Sequence, residues 1–294
     1  MNAHDVDLWA ASIREAGNAP CTCTEEFIDI FEPSLYPFQS AEANRFVRIE
    51  SPGQDPFYCY FQPCFQKQAP LIVHTPGYCG EMSMHPELAQ YFHVLHVNPL
   101  GYTTPDGKDR SKMTMDGKGT VFPDTLRTGG RGGYYTWLVN CVMAVNWALG
   151  REDVLKNRVS FFGTSQGGGA ALLLGSIFCD ITRATASEEP FLTNLAMAAG
   201  RGAYGMGREL YADADPEDVR RGAYLIDTLH HVHRFRFPVL LTSGGRDDTC
   251  PPETVADLFA RLPGTKSYTH FADMAHGYHR EFIQLVKAWF LTYA

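Results

Sequence analysis

The stretch Gly163–Gly167, which reads GTSQG, constrains the fold of this chain more than any other feature. It follows the apolar run at 159–162 and precedes a run of small residues at 168–174 that can begin a helix. The pattern G-x-S-x-G between a strand and a helix is typical of a sharp turn that presents a serine at the top of a sheet. Glycines on both sides let backbone segments approach where a Cβ would clash. Ser165 is therefore a candidate nucleophile; a structural glycine-rich turn is the alternative.

Strand-like and helix-like segments alternate around this turn. Strands are predicted at 45–50, 57–61, 70–74, 93–97, 158–162, 183–186, 238–242 and 267–271, helices at 7–16, 81–91, 134–149 and 279–293, and a surface loop at 101–130. Such alternation favours a mostly parallel central sheet with helices on both faces. Together with the serine turn, this pattern predicts a single α/β-hydrolase domain over 1–294, in which the region from the strand at 183–186 to about 236 is irregular.

Composition narrows the classes of partner. The net charge of −8 argues against nucleic acid and against an anionic membrane surface. No apolar run approaches a membrane span, and the first residues lack the basic and apolar regions of a signal peptide. The eight cysteines include no C-x-x-C pair, which favours reduced thiols and a cytoplasmic protein. No motif calls for a cofactor or a metal, since the histidines at 230–233 are better explained as a solvated or capping cluster.

Two residues downstream are suited to activate a serine at 165. Asp247 lies in a Gly-rich loop just after the strand at 238–242, and His276 lies in a loop before the last helix. An acid and a histidine that follow the serine in this order are typical of the α/β-hydrolase arrangement. The acid would fix the imidazole tautomer and the imidazole would act as the general base. The alternatives to these residues are Asp248 for the acid, and His270 or His279 for the base.

An oxyanion hole requires two backbone N–H groups beside the nucleophile. The residue after the serine, Gln166, is expected to supply one, and Tyr78, in the loop after the strand at 70–74, the other. The alternative is that Pro76-Gly77 forms a plain turn. Glu188 and Glu189 follow the strand at 183–186, where they either line the pocket or form a solvated pair.

Together these residues resemble the acetyl xylan esterase / cephalosporin-C deacetylase family of serine esterases. The matching features are Ser165-Gln166-Gly167-Gly168-Gly169, Gly77-Tyr78, Asp247 with the following Thr249-Cys250-Pro251-Pro252, His276, and Glu189-Pro190-Phe191-Leu192-Thr193-Asn194. The resemblance extends from about residue 70 to the carboxyl end, and it implies that residues 190–236 form a small helical cap or insertion within the domain. It implies a small-molecule ester as substrate, cleaved through an acyl-enzyme at Ser165, and is compatible with a homo-oligomer.

One departure from the family pattern concerns specificity. The family carries an Arg-Gly-Gln motif where this chain reads Asn98-Pro99-Leu100-Gly101-Tyr102. An esterase or deacetylase remains the first prediction, and whether sugar acetates are substrates stays open. A serine peptidase or amidase on the same fold is the second, and a non-catalytic binding protein of this fold is the third.

Overall fold

A nine-stranded sheet forms the centre of the molecule, in the strand order β1-β2-β3-β5-β4-β6-β7-β8-β9. The computed structural model describes residues 1–26, 45–52, 56–66, 68–78, 85–98, 121–205 and 207–294. The strands are β1 (Thr22–Glu26), β2 (Arg45–Glu50), β3 (Phe57–Gln62), β4 (Ala69–Thr75), β5 (His93–Asn98), β6 (Val154–Thr164), β7 (Thr182–Glu188), β8 (Val239–Gly244) and β9 (Lys266–Phe271). The pairs β1·β2, β2·β3 and β3·β5 are antiparallel, and the remaining pairs are parallel.

Helices connect the parallel strands and cover the sheet. They are α1 (Ala3–Ala16), α2 (Pro86–Ala89), α3 (Val121–Arg127), α4 (Tyr134–Gly150), α5 (Gln166–Ile177), α6 (Leu195–Ala198), α7 (Pro216–Ile226), α8 (Pro252–Arg261) and α9 (Arg280–Tyr293). Short 3₁₀ segments lie at Gly202–Gly205, Arg208–Tyr211 and Thr228–Arg234. The mostly parallel α/β-hydrolase sheet predicted from the alternating pattern is confirmed.

The two faces of the sheet bury different sets of side chains, because successive residues of a strand point to opposite faces. Val73 and Phe161 pack with α1 and α4 on one face. Ile72 and Phe162, one position away on the same strands, pack with α9 on the other. Burial on both faces explains why the central strands read as continuous apolar runs.

Four elements differ from the prediction. The segment 101–130 was expected to be a loop, but its described part contains α3, which the buried Val121 and Leu126 hold against the core. Strand β1 and helix α8 were not predicted. Of the helix expected at 81–91, residues 81–84 lie outside the described residues, and the helix there is limited to α2.

Within the described residues, none of the helices combines the length and apolar character needed to cross a bilayer. The cysteines described there are free thiols, and Cys59, Cys64, Cys141 and Cys250 are buried.

Candidate active site

The candidate site lies where the order of the parallel strands reverses. From β4 the chain first adds β5 on one side and later adds β6 on the other. In open α/β sheets, a crevice opens beyond the carboxyl ends of strands at such a switch point. Ser165 directly follows β6, and Gly77 and Tyr78 follow β4. The topology therefore brings the serine and the predicted oxyanion loop to the same edge of the sheet.

The backbone turns sharply at Ser165, which has a φ of +57°. Non-glycine residues rarely adopt this conformation, and they keep it only where the surrounding structure enforces it. A Cβ on Gly167 would lie 1.9 Å from the carbonyl oxygen of Thr75, and one on Gly163 would lie 2.5 Å from the same oxygen. The two glycines therefore allow the end of β4 to pack directly against the serine turn.

Ser165, His276 and Asp247 form a continuous chain of polar contacts. Ser165 Oγ is 2.9 Å from His276 Nε2. On the other side of the ring, His276 Nδ1 is 2.8 Å from Asp247 Oδ2. Because an ionised carboxylate only accepts hydrogen bonds, Nδ1 carries the proton. In the neutral ring Nε2 is then the acceptor for the serine hydroxyl.

Asp247 is buried and held in place by backbone amides. Its Oδ1 accepts hydrogen bonds from the amides of Thr249 and Cys250, each at 2.8 Å, which leaves Oδ2 for the histidine. Asp248, the alternative acid, is exposed. Burial raises the pKa of the Cys250 thiol well above its usual value, so this thiol stays protonated and is a poor nucleophile.

A second carboxylate, that of Glu189, also contacts His276. Glu189 Oε2 is 3.1 Å from His276 Nδ1 and accepts a hydrogen bond of 2.9 Å from the amide of Gly277. Glu189 Oε1 is buried without a hydrogen-bond partner among the described residues. Burial lowers the pKa of His276, but the hydrogen bonds and negative charges of Asp247 and Glu189 outweigh burial and raise it to about 9.

The neighbouring Glu188 points to a different histidine. Its Oε1 accepts from the ring Nδ1 of His279 at 2.9 Å, and its Oε2 accepts from Thr164 Oγ1 at 2.5 Å. Burial raises the pKa of Glu188 to about 7, against the opposing effect of these partners. Glu188 and Glu189 thus hold both ends of the loop at 276–279, and the prediction of a solvated pair is wrong. Glu189 does not line the pocket either; it lies behind His276.

The two alternative histidines have other partners. His270 lies on β9, where its Nδ1 is 2.9 Å from Ser243 Oγ. His279 precedes α9 and contacts Glu188. The histidines at 230–233 are also otherwise engaged: His231 Nδ1 is 2.8 Å from Ser176 Oγ, and His233 Nε2 is 3.0 Å from Asp7.

The loop after β4 lies beside the serine. The amide of Gly77 donates to the hydroxyl of Tyr278 at 3.0 Å, so it is already engaged. Gln166 is the first residue of α5, where a backbone amide has no acceptor within the helix. Tyr78 and Gln166 both line the same cavity as Ser165. Negative charge at this position would also be favoured by the positive end of the α5 dipole.

The serine opens into a cavity of about 240 Å³. Its apolar wall is formed by Val121, Phe122, Pro123, Phe191 and Ala203. This volume lies below the roughly 300–1,000 Å³ of pockets that enclose drug-sized ligands. A small acyl or alcohol group therefore fits the cavity best.

The segment 189–194, which we call the pocket-wall segment, carries Phe191 and has an unusual backbone. Positive φ values occur at Glu189, Leu192 and Asn194. The carboxylate of Asp227 accepts from the amides of Asn194 and Leu195, at 2.8 and 2.7 Å. The amide of Thr228 donates to the carbonyl of Leu192 at 2.8 Å. The residues that follow α7 therefore stabilise this strained wall of the cavity.

Sequence reasoning did not place Glu189 beside His276, and it assigned no function to Tyr278. The signal for Glu189 was its position just beyond the end of β7, at the same sheet edge as the serine. Tyr278 lies two residues after His276, but its contact with Gly77 spans 201 residues, and no local pattern indicates it.

Comparison with known proteins agrees with this architecture. The acetyl xylan esterase from Paenibacillus sp. R4 superposes with a TM-score of 0.79 at 20% identity, covering 100% of this chain and 96% of that one. Acetyl xylan esterase 1 from Thermoanaerobacterium sp. JW/SL YS485 gives 0.78 at 18% identity, covering 98% and 93%. These likenesses establish the α/β-hydrolase fold.

The sequence comparisons identify the family. A family model described as acetyl xylan esterase (AXE1) matches residues 54–293, and the chain therefore belongs to the acetyl xylan esterase family. The acetyl esterase Axe7A of Xylanibacter ruminicola is 30% identical over 268 residues, which cover 86% of this chain. The match spans 58% of the length of that relative.

Proposed function

We propose that this protein is a serine esterase that removes small acyl groups, acetyl foremost, from a small-molecule ester. The observation that carries the proposal is the contact of Ser165 Oγ with His276 Nε2, at 2.9 Å, at the edge of a small apolar cavity. The family supports the same activity, since this chain and an acetyl esterase are 30% identical.

The mechanism follows from the contacts. His276 accepts the hydroxyl proton as Ser165 attacks the acyl carbonyl, and the ionised Asp247 stabilises the imidazolium that forms. The amides of Tyr78 and Gln166 hold the oxyanion of the tetrahedral intermediate. The intermediate collapses as His276 protonates the departing alcohol. Water, deprotonated by His276, then hydrolyses the acyl-enzyme and restores the serine.

The wall of the cavity sets the size of the acyl group in this proposal. Phe191 and Phe122 restrict the space beside Ser165, and Phe191 belongs to the proposed insertion at 190–236. The free thiols favour a reducing compartment, and we place the enzyme in the cytoplasm on that basis.

Hydrolysis of p-nitrophenyl acetate by wild type and Ser165→Ala tests the proposal. The variant should lose activity by several orders of magnitude, because the acyl-enzyme cannot form. Ser243→Ala is the matched control, because it removes a hydroxyl that also contacts a histidine, His270, without any carboxylate on that ring in the described structure. Equal activity in wild type and Ser165→Ala would refute the proposal.

Two further assays separate the alternatives. A fluorophosphonate probe should label wild type and Ser243→Ala but not Ser165→Ala; an unlabelled wild type would indicate a binding protein. Faster hydrolysis of aminoacyl anilides than of acetyl esters would favour the peptidase or amidase. Oxyanion stabilisation and the serine nucleophile serve both reactions, so only the substrate comparison distinguishes them.

A further inference from the structure

Three histidines converge in the interior beside the base of the oxyanion loop. His74 lies on β4, His96 lies on β5, and His85 immediately precedes α2. Their exposed fractions are 4%, 0% and 8%. Each ring offers one nitrogen to the cluster, and these three nitrogens all lie within 4.8 Å of one another. The proposed esterase mechanism uses none of these side chains.

The spacing of the three rings matches that of ligands around one metal ion. His74 and His96 are direct register partners on neighbouring parallel strands, and their Nδ1 atoms are 3.1 Å apart. Nitrogens at two corners of a tetrahedron, with zinc–nitrogen bonds of about 2.0–2.1 Å, lie about 3.3 Å apart. The ring centroids are separated by 5.1 Å (His74–His85), 5.1 Å (His74–His96) and 5.5 Å (His85–His96). Imidazoles on a tetrahedral zinc ion are separated by about 5 Å.

Gln62 fixes the tautomer of His96. The backbone amide of His85, which can only donate, contacts Gln62 Oε1 at 3.1 Å, so this atom is the carbonyl oxygen. His96 Nε2 lies 2.8 Å from the same oxygen and must therefore carry a proton. In the neutral ring, His96 Nδ1 then has a free lone pair directed at His74. Metal-binding histidines are commonly oriented in this way by an oxygen that accepts from the other ring nitrogen.

The remaining nitrogens are also suited to bind a metal. His85 Nδ1 lies 3.9 Å from Glu87, whereas its buried Nε2 has no hydrogen-bond partner among the described residues. Neutral imidazole is the form that binds a metal ion. In the contact with His96, Nδ1 of His74 carries the proton, and this proton must move to Nε2 of the same ring before Nδ1 can bind the ion.

We propose that His74, His85 and His96 bind one zinc ion, with a fourth position open to water or to another ligand. Imidazole nitrogens are good ligands for zinc, and a cluster of three is sufficient for tight binding. The ion would replace the proton shared by His74 and His96 and would link β4, β5 and the start of α2. Since the predicted oxyanion donor Tyr78 lies between His74 and His85 in sequence, the metal would anchor both sides of the segment that carries it.

Metal content and affinity provide the test. The full chain is expressed with zinc, dialysed, and analysed by mass spectrometry of the metal; the affinity is measured against a chromophoric chelator. Wild type should retain about one zinc ion per chain, and His85→Asn should lose it. Asparagine keeps a good helix N-cap, so this variant preserves the start of α2. Gln62→Met should weaken binding by roughly 10–100-fold, because the ring of His96 loses its oriented partner.

His93→Asn is the matched control. His93 is a buried histidine on β5, but it lies on the opposite face, stacked on Phe61. Zinc binding in this control should equal that of wild type. A zinc soak of wild-type crystals gives a measurement that needs no variant: the anomalous signal should peak between the three rings. Wild type that binds zinc no more tightly than His85→Asn, or anomalous density elsewhere only, would overturn the proposal.

Discussion

Replacement of Glu189 with glutamine tests how His276 is tuned. Glu189 Oε2 lies 3.1 Å from His276 Nδ1 and accepts a hydrogen bond from the amide of Gly277, whereas Oε1 has no hydrogen-bond partner in the described structure. A glutamine can keep its carbonyl oxygen at the Oε2 position and place its amide nitrogen at the Oε1 position. Glu189→Gln therefore removes a negative charge 3.1 Å from the imidazole and leaves the hydrogen-bond geometry in place.

The size of the effect follows from the two carboxylates. With both present, the pKa of His276 is raised to about 9. A carboxylate at this distance raises the pKa of a histidine by about 1–3, so the pKa of His276 in Glu189→Gln should fall to between about 6 and 8. General-base catalysis needs the neutral ring, and kcat/KM should therefore rise with pH through the pKa of His276. In Glu189→Gln this rise should occur at lower pH than in wild type.

The assay is the pH dependence of kcat/KM on p-nitrophenyl acetate, corrected for spontaneous hydrolysis. Glu253→Gln, which removes a charge from the surface, is the control and should reproduce the wild-type curve. Thermal unfolding of each variant at one pH separates a change in titration from a loss of structure. If kcat/KM of a well-folded Glu189→Gln rises at the same pH as in wild type, the charge of Glu189 does not set the pKa of His276.

Three further predictions concern the frame of the site. Gly167→Ala should lower the free energy of unfolding in urea by about 1–3 kcal/mol, because the added Cβ would clash with the Thr75 carbonyl oxygen. Gly150→Ala is the control: its Cβ would have no neighbour within 4 Å, and the variant should be slightly more stable than wild type. Because the pKa of Glu188 is raised to about 7, the folded protein favours the protonated carboxyl, and the stability that this contributes should be lost as the pH rises from about 4.5 through 7. Glu188→Gln should lack this pH-dependent loss of stability; parallel slopes of unfolding free energy against pH in wild type and variant would contradict the prediction. Phe191→Ala should raise kcat/KM for butyrate relative to acetate esters by roughly tenfold, since the ring forms part of the cavity wall and its removal enlarges the cavity; an unchanged ratio would exclude that role.

The sequence predicted the architecture because its signals are local. Each central strand is buried on both faces and reads as a short apolar run, and the serine turn needs glycines at fixed positions. Asp247 was predicted from its loop just beyond a strand, and His276 from its loop before the last helix, because an acid and a histidine follow the serine in this order in the α/β-hydrolase arrangement. In the structure His276 lies 2.8 Å from Asp247 Oδ2 through Nδ1 and 2.9 Å from Ser165 Oγ through Nε2. Their catalytic roles stay a prediction.

The elements that sequence reasoning missed depend on contacts between distant segments. Helix α3 lies in a stretch whose polar composition resembles a loop, and it is stabilised by packing rather than by its own propensity. Glu189 contacts a histidine 87 residues away, and whether it or Glu188 faces that histidine depends on where β7 ends. The pairing of His74 with His96 likewise requires the register of β4 against β5, which no local pattern specifies.

The anchoring of the pocket-wall segment has a consequence for how substrate range can evolve. Asp227 and Thr228 bind backbone groups of this segment, at Leu192 and Asn194, and of Leu195, the residue that follows it. Hydrogen bonds to the main chain do not depend on the side chains carried there. Mutations that change the ring at Phe191 can therefore accumulate while the path of the chain is inherited intact. Selection can therefore alter which esters are accepted by this scaffold without removing the backbone hydrogen bonds that hold the segment in place.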